Sequence, residues 1–279
     1  MPMSLARERL FEPRFATIDG LRIRYAAHDA KAANTLLLLS PWPESLYAFS
    51  PMWPGLARQF NLLALDLPGF GQSEGRPDLM SPRAMGEFIV TALAFFGLGP
   101  VHAVGPDIGT PSVLFAAQAH PNLFQSMVVG AGASVFPLLI DGLLKTLVEA
   151  EQVPQINPAE VITQFVDSIR NYDVPAHVRA DYLASYAGER FARSIALVRS
   201  YPADLAVLAP LLASIETPVQ IIVGRNDPYG LTRDAEELQR RLRRRKLDIL
   251  ECGHCAWEEQ AVAYERVLTN WVNGAFEDA

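Results

Sequence analysis

Val101-His102-Ala103-Val104-Gly105-Pro106-Asp107-Ile108-Gly109-Thr110-Pro111-Ser112-Val113 holds the turn from which the rest of the fold can be read. The apolar run ending at Val104 reads as a strand buried on both faces, and Thr110 to His120 carries helical spacing. Between them stands Gly-x-Asp-x-Gly. Small residues around a central polar one permit the tight strand-to-helix turn that thrusts that side chain outward, where it can react. Here the side chain is a carboxylate. Asp is also a common helix N-cap, so the pattern gains meaning only from what stands at the ends of the other strands.

Working outward, continuous apolar runs alternate with helix-period segments. Thr35 to Leu39, Leu62 to Leu65, Ser126 to Val129, Val219 to Val223 and Leu247 to Leu250 read as further buried strands. Pro54 to Phe60, Pro82 to Phe96, Thr232 to Leu242 and Ala261 to Val272 read as the helices between them. This order predicts an α/β protein with a mostly parallel, doubly wound sheet. Two alternating runs around Asp19-Gly20 predict an antiparallel hairpin at the start. About 85 residues separate the strands at Ser126 and Val219, far more than one crossover needs. Helical spacing at Leu138 to Glu151, Ala159 to Arg170, Ala176 to Tyr186 and Glu189 to Val198, punctuated by Pro154, Pro158 and Pro175, predicts an inserted helical cap over 133–205. The core then comprises 1–132 and 206–279.

Half of the 279 residues are hydrophobic and a fifth are charged, as in a packed globule. A net charge of −7 disfavours nucleic acid and anionic membranes and points to a small, largely apolar ligand. Met1 to Arg14 mixes charged and apolar residues without the run of a secretion signal, so a cytoplasmic protein is expected. The oligomeric state, monomer or homodimer, is left open. Cys252-Gly253-His254-Cys255 resembles a dithiol redox site but lies near the carboxyl end, away from the helix start that such a site requires. The basic run Arg240 to Lys246 reads as a solvated helix end.

Chemistry comes from three strand ends in order: Asp107, then Asp227 in Val223-Gly224-Arg225-Asn226-Asp227, then His254 in Leu250-Glu251-Cys252-Gly253-His254. Nucleophile, acid and base in this sequence form a catalytic triad with aspartate in the place of serine. With Asp66-Leu67-Pro68-Gly69-Phe70-Gly71-Gln72-Ser73 and Glu258-Glu259, these motifs make the chain resemble the α/β-hydrolase superfamily, in its epoxide hydrolase and haloalkane dehalogenase branch. The resemblance covers nearly the whole chain.

It implies a hydrolase in which Asp107 attacks a saturated carbon and His254, oriented by Asp227, activates the water that cleaves the resulting ester. It assigns the backbone N–H groups of Trp42 and Ile108 to an oxyanion hole, and calls for neither cofactor nor metal. Pro43-Glu44-Ser45 matches the tail of the epoxide hydrolases' His-Gly-Phe-Pro-Glu-Ser segment, with Ser40-Pro41 standing where His-Gly is usual. Dehalogenases of this branch place Trp after the nucleophile, where this chain has Ile108, so epoxide opening is the leading expectation. Dehalogenation through the same Asp, or a non-hydrolytic biosynthetic or binding role, are the alternatives. Epoxide opening needs a proton donor, and Tyr172, Tyr182, Tyr186 and Tyr201 lie in the cap segment. Tyr182 and Tyr186, one helical turn apart, are the expected pair, while Val198 occupies the characteristic tyrosine position before Arg199.

Overall fold

A computed structural model describes residues 11–152 and 157–279 of the chain; the readings of residues 1–10 and of Pro154 lie outside the described residues. Eight strands form one sheet: β1 (Arg14–Ile18), β2 (Leu21–His28), β3 (Thr35–Leu39), β4 (Asn61–Leu65), β5 (Val101–Pro106), β6 (Phe124–Gly130), β7 (Val219–Gly224) and β8 (Arg245–Leu250). Their order is β1-β2-β4-β3-β5-β6-β7-β8. The β1–β2 and β2–β4 pairs are antiparallel and the others parallel. The opening hairpin turns at Asp19 and Gly20, with φ of 49° and 76°, the two positive values that an Asp-Gly turn supplies.

β5 and β7 are buried along their whole length, because helices cover both faces of the sheet. β8 departs from expectation. It forms the sheet edge, and Leu247, Ile249 and Leu250 are only half-buried. The core helices are α1 (Trp53–Leu56), α2 (Pro82–Phe95) and α3 (Gly109–Ala119), then, after the insert, α9 (Leu231–Arg241), α10 (Ala256–Glu259) and α11 (Ala261–Asn270). α1 is a single turn, shorter than its spacing suggests.

Between β6 and β7 lie α4 (Gly142–Glu149), α5 (Pro158–Ser168), α6 (Ala176–Ser185), α7 (Arg190–Arg199) and α8 (Tyr201–Leu208). α4 starts later than its apolar pattern suggests, because the Asp141 N–H instead donates to the Tyr229 carbonyl at 2.8 Å. α8 carries Pro202 in its first turn, where a missing N–H costs nothing; its spacing did not mark it as a helix.

One buried ion-pair network fastens this insert to the sheet. Arg24 on β2 donates through Nε to Asp66 at 2.5 Å and through both terminal nitrogens to Asp181 on α6 at 2.6 and 3.0 Å. Ser45 Oγ and Gln72 Nε2 add bonds to Asp181 at 2.6 and 2.7 Å. Asp66 also accepts from the N–H groups of Leu46 and Gln72 at 2.7 and 2.9 Å. Burial opposes the Arg24 charge, but its two carboxylate partners raise the pKa above the ordinary arginine value. Removing one partner of such a network strands a buried charge. Arg24→Ala is therefore expected to lower stability by about 3–5 kcal/mol, measurable by urea denaturation followed by tryptophan fluorescence.

Candidate active site

The expected triad and oxyanion-hole residues each follow a parallel strand, and parallel strands end on the same edge. Trp42 follows β3, Asp107 follows β5, Asp227 follows β7 and His254 follows β8. The fold thus brings four distant segments to one crevice, the usual ligand position in such sheets.

The Asp107 turn is built by its neighbours. Asp107 has φ of 52°, in the left-handed region where a side chain is strained. Its N–H donates to the Gly130 carbonyl at 2.9 Å, and its carbonyl accepts from the Thr110 N–H at 2.9 Å. Thr110 Oγ1 lies 2.9 Å from the Gly105 carbonyl and accepts from the Gly130 N–H at 2.9 Å, so one hydroxyl ties β5 to β6 below the turn. A Cβ on Gly105 would sit 2.9 Å from the Gly109 carbonyl oxygen, and one on Gly132 only 2.0 Å from that of Asp107. Gly132 lies outside the Gly-x-Asp-x-Gly pattern, so the motif gave no sign of its part.

His254 Nδ1 lies 2.8 Å from Asp227 Oδ2, and its Nε2 lies 4.0 Å from Asp107 Oδ1. The Trp42 N–H donates to the other Asp107 oxygen at 2.6 Å, and the Ile108 N–H donates to the same carboxylate. Asp107, Asp227, His254, Trp42 and Ile108 are thus brought together. The carboxylate oxygen on the Trp42 N–H is the one turned from the imidazole, and the other faces it. Burial raises the Asp107 pKa to about 6, against the lowering effect of His254 and the two N–H groups. Burial opposes charge on His254 as well, but Asp227 and Asp107 outweigh it and raise the ring's pKa.

A cavity of about 450 Å³ opens over this arrangement. Its wall is mostly apolar, with Leu143, Leu147 and Phe165 from the insert facing Asp107 and His254. Among the described residues that line it there is no Lys or Arg. Val198, at the position where a tyrosine was looked for, is part of this wall.

Tyr182 and Tyr186 do not line it. Tyr182 Oη donates to Glu258 at 3.0 Å, and Tyr186 Oη donates to the Glu44 carbonyl at 2.8 Å while accepting from the Gly71 N–H. The two do share a side of α6 and its end, but Arg24 grips Asp181 on that side and draws it down onto the core. Tyr172 lines a separate surface groove with Tyr47 and His177, and Tyr201 is fully buried off the cavity wall. Sequence spacing put the two tyrosines on one side, and their hydroxyls are engaged by Glu258 and the Glu44 carbonyl and not by the cavity. Tyr229 was missed altogether, although it stands two residues beyond Asp227: it lines the cavity, with its ring centroid 4.8 Å from that of His254.

Behind His254, Glu44, Cys255 and Glu258 form a buried group whose ligand atoms lie within 4.8 Å of one another, a possible metal-ligand arrangement by geometry. Glu44 Oε2 and Glu258 Oε2 are both buried without a hydrogen-bond partner. Burial and the neighbouring carboxylate push Glu44 well up, and burial takes Glu258 to about 7. A proton held between the two accounts for both unpartnered oxygens. Cys252 and Cys255 are buried free thiols; burial pushes Cys252 to about 12 and raises Cys255 well above the usual thiol range. Redox thiols have lowered pKa values.

The Asp107 shift has a consequence for stability. Its folded pKa lies above the unfolded value, so the cost of burying the charge is absent below about pH 4 and complete above about pH 6. Asp107→Asn is expected to stabilise the fold at pH 7.5 by about 2–3 kcal/mol. The gain should vanish near pH 4, as read from urea midpoints across that range.

The chain is similar to the soluble epoxide hydrolase of Corynebacterium sp. (strain C12), 30% identical over 114 residues, which cover 41% of this chain and 39% of that protein. The match thus spans about two fifths of that relative's length. It is 27% identical over 268 residues to the uncharacterized hydrolase YNR064C of Saccharomyces cerevisiae, covering 88% of this chain and 91% of that one. Among solved structures, Cfl2 of Burkholderia cenocepacia superposes with a TM-score of 0.79 at 20% identity, over 94% of this chain and 96% of that one. The model of the alpha/beta hydrolase fold family matches residues 34–261, and the chain belongs to that family.

Proposed function

We propose that the protein hydrolyses epoxides of neutral, largely apolar compounds through a covalent ester on Asp107. The observation that carries this reading is the placement of the Asp107 carboxylate, which accepts from the Trp42 N–H through one oxygen and from the Ile108 N–H, while its other oxygen lies 4.0 Å from His254 Nε2 at the cavity. A carboxylate needs no base before it attacks a saturated carbon. Attack by the free oxygen opens the epoxide and leaves an alkyl ester. His254, held by Asp227, then removes a proton from water, and the hydroxide adds to the ester carbonyl. The carbonyl oxygen becomes an oxyanion at the Trp42 N–H that already holds it, with the Ile108 N–H as second donor to the same carboxyl group, each such donor worth about 10²–10³ in rate.

The insert over 133–205 acts in this reading as a cap that closes an apolar cavity over the nucleophile, suiting a substrate without charge. The similarity to the Corynebacterium soluble epoxide hydrolase supports the same branch. The dehalogenase alternative fares less well. Halide wants converging N–H donors, but the residue after the nucleophile is Ile108 and the Trp42 indole N–H is engaged by Ser194 Oγ at 2.8 Å.

The test is to incubate His254→Ala protein with a panel of alkyl and aryl epoxides and follow intact mass. An adduct equal to one epoxide, mapped to Asp107, is expected, because the ester forms and its hydrolysis is blocked. Full turnover by Asp107→Ala would sink the reading. Adduct formation should also depend on pH: protonating Asp107 removes the nucleophile, and because His254 lowers the Asp107 pKa its loss moves the break above pH 6, with the rate falling about tenfold per unit below the break and levelling above it.

A further inference from the structure

Opening an epoxide leaves an alkoxide, and none of the tyrosines of the insert lines the cavity, although Tyr201 lies near enough for the Asp107 charge to raise its phenol. The donor has to stand on the cavity wall. Of the polar residues there among those described, Trp42 spends its indole N–H on Ser194 and Ser168 donates to the Phe165 carbonyl at 2.6 Å. Gln164 offers amide N–H groups that polarise but do not give up a proton. Asp107 is the nucleophile and His254 the base of the second step. That leaves Tyr229.

We propose that Tyr229 is the proton donor to the leaving oxygen, doing from the loop after β7 what a tyrosine at position 198 would do from the insert. This rests on the epoxide-opening reading given above. The geometry supports it independently of residue type. The Tyr229 N–H donates to Asp227 Oδ1 at 2.8 Å, and its carbonyl accepts from the Asp141 N–H at 2.8 Å, so its backbone is fixed between the triad acid and the start of the insert. Its ring stands edge-on to His254 at an interplanar angle of 89°, beside the imidazole whose Nε2 lies 4.0 Å from Asp107. Its hydroxyl has no hydrogen-bond partner among the described residues, whereas those of Tyr182 and Tyr186 are both engaged. Burial, with Cys255, Asp227 and Asp107 nearby, pushes the phenol to about 12, so it stays protonated through the neutral range.

The proton count closes. As the Asp107 oxygen bonds to carbon, the C–O bond of the ring breaks and its oxygen takes the Tyr229 proton, leaving a phenolate. In the second step His254 takes one proton from water and passes it to the alcohol oxygen that departs from the ester. The second water proton leaves the regenerated Asp107 carboxyl and restores the phenol. Substrate and water give a diol, with every group returned to its starting state.

The experiment uses the His254→Ala protein, alone and combined with Tyr229→Phe or Tyr201→Phe, and compares a terminal alkyl epoxide with its trifluoromethyl analogue, whose alkoxide is less basic. Intact mass gives the rate of adduct formation. Tyr229→Phe is expected to slow the alkyl epoxide by about 100-fold or more and the fluorinated one distinctly less, since a weaker base needs the proton less. Tyr201→Phe should leave both rates unchanged. Equal slowing of the two epoxides by Tyr229→Phe would make Tyr229 a positioning residue and overturn the proposal, as would no slowing, or the leaving-group pattern appearing in Tyr201→Phe instead. Absence of any adduct on the parent His254→Ala protein would sink the epoxide reading itself, and the two failures are thereby distinguishable.

Discussion

At the floor of the cavity a carboxylate only 8% exposed has lost nearly all of its water, and the chain replaces that hydration with two backbone N–H groups and an imidazole. The replacement is incomplete, since burial still holds the group near pH 6 in its titration. The features around it follow from that constraint. The left-handed turn brings Asp107 out of the sheet, Thr110 and the close approach of Gly105 and Gly132 hold the turn, and Asp227 keeps His254 in register opposite. In the proposed chemistry, alkylation discharges this poorly solvated anion, so the free energy stored in its burial favours the ester.

The cavity above depends on two attachments of different character. On one side, Arg24 joins β2, the loop at Asp66 and helix α6 through buried charge. On the other, the strand-like approach to α4 is pinned to the loop after β7 by a backbone hydrogen bond from Asp141 to Tyr229, with an exposed ion pair from Arg233 to Asp141 beside it. Arg199 at the end of α7 reaches the carbonyls of Leu147 and Ala150, tying α4 to its neighbour within the insert. The first attachment is costly to break and the second is mostly solvated.

The sheet was legible because its strands are short apolar runs buried by helices on both faces, and because Asp-Gly specifies its hairpin with little help from elsewhere. Asp107, Asp227 and His254 were legible as a set because each stands just past such a run, and parallel strands end on the same edge. What the sequence hid depends on tertiary placement. The spacing of Tyr182 and Tyr186 specifies a shared side, but only the Arg24 to Asp181 contact decides that it points away from the cavity. Gly132 matters through a carbonyl far from it in local pattern, and Tyr229 through the ring it faces. β8 was read as buried because its apolar residues do not reveal that no ninth strand follows.

The Arg24 network also orders events during synthesis. Arg24, Ser45, Asp66, Gln72 and Asp181 all leave the ribosome before the strands that precede Asp227 and His254. The insert can therefore dock on a half-built sheet, since chains fold from the amino end as they emerge. β7 and β8 then add to an edge already shaped by β6, and their loops close against helices already in position. In chain order the insert thus precedes β7 and β8, whose following loops hold Asp227 and His254.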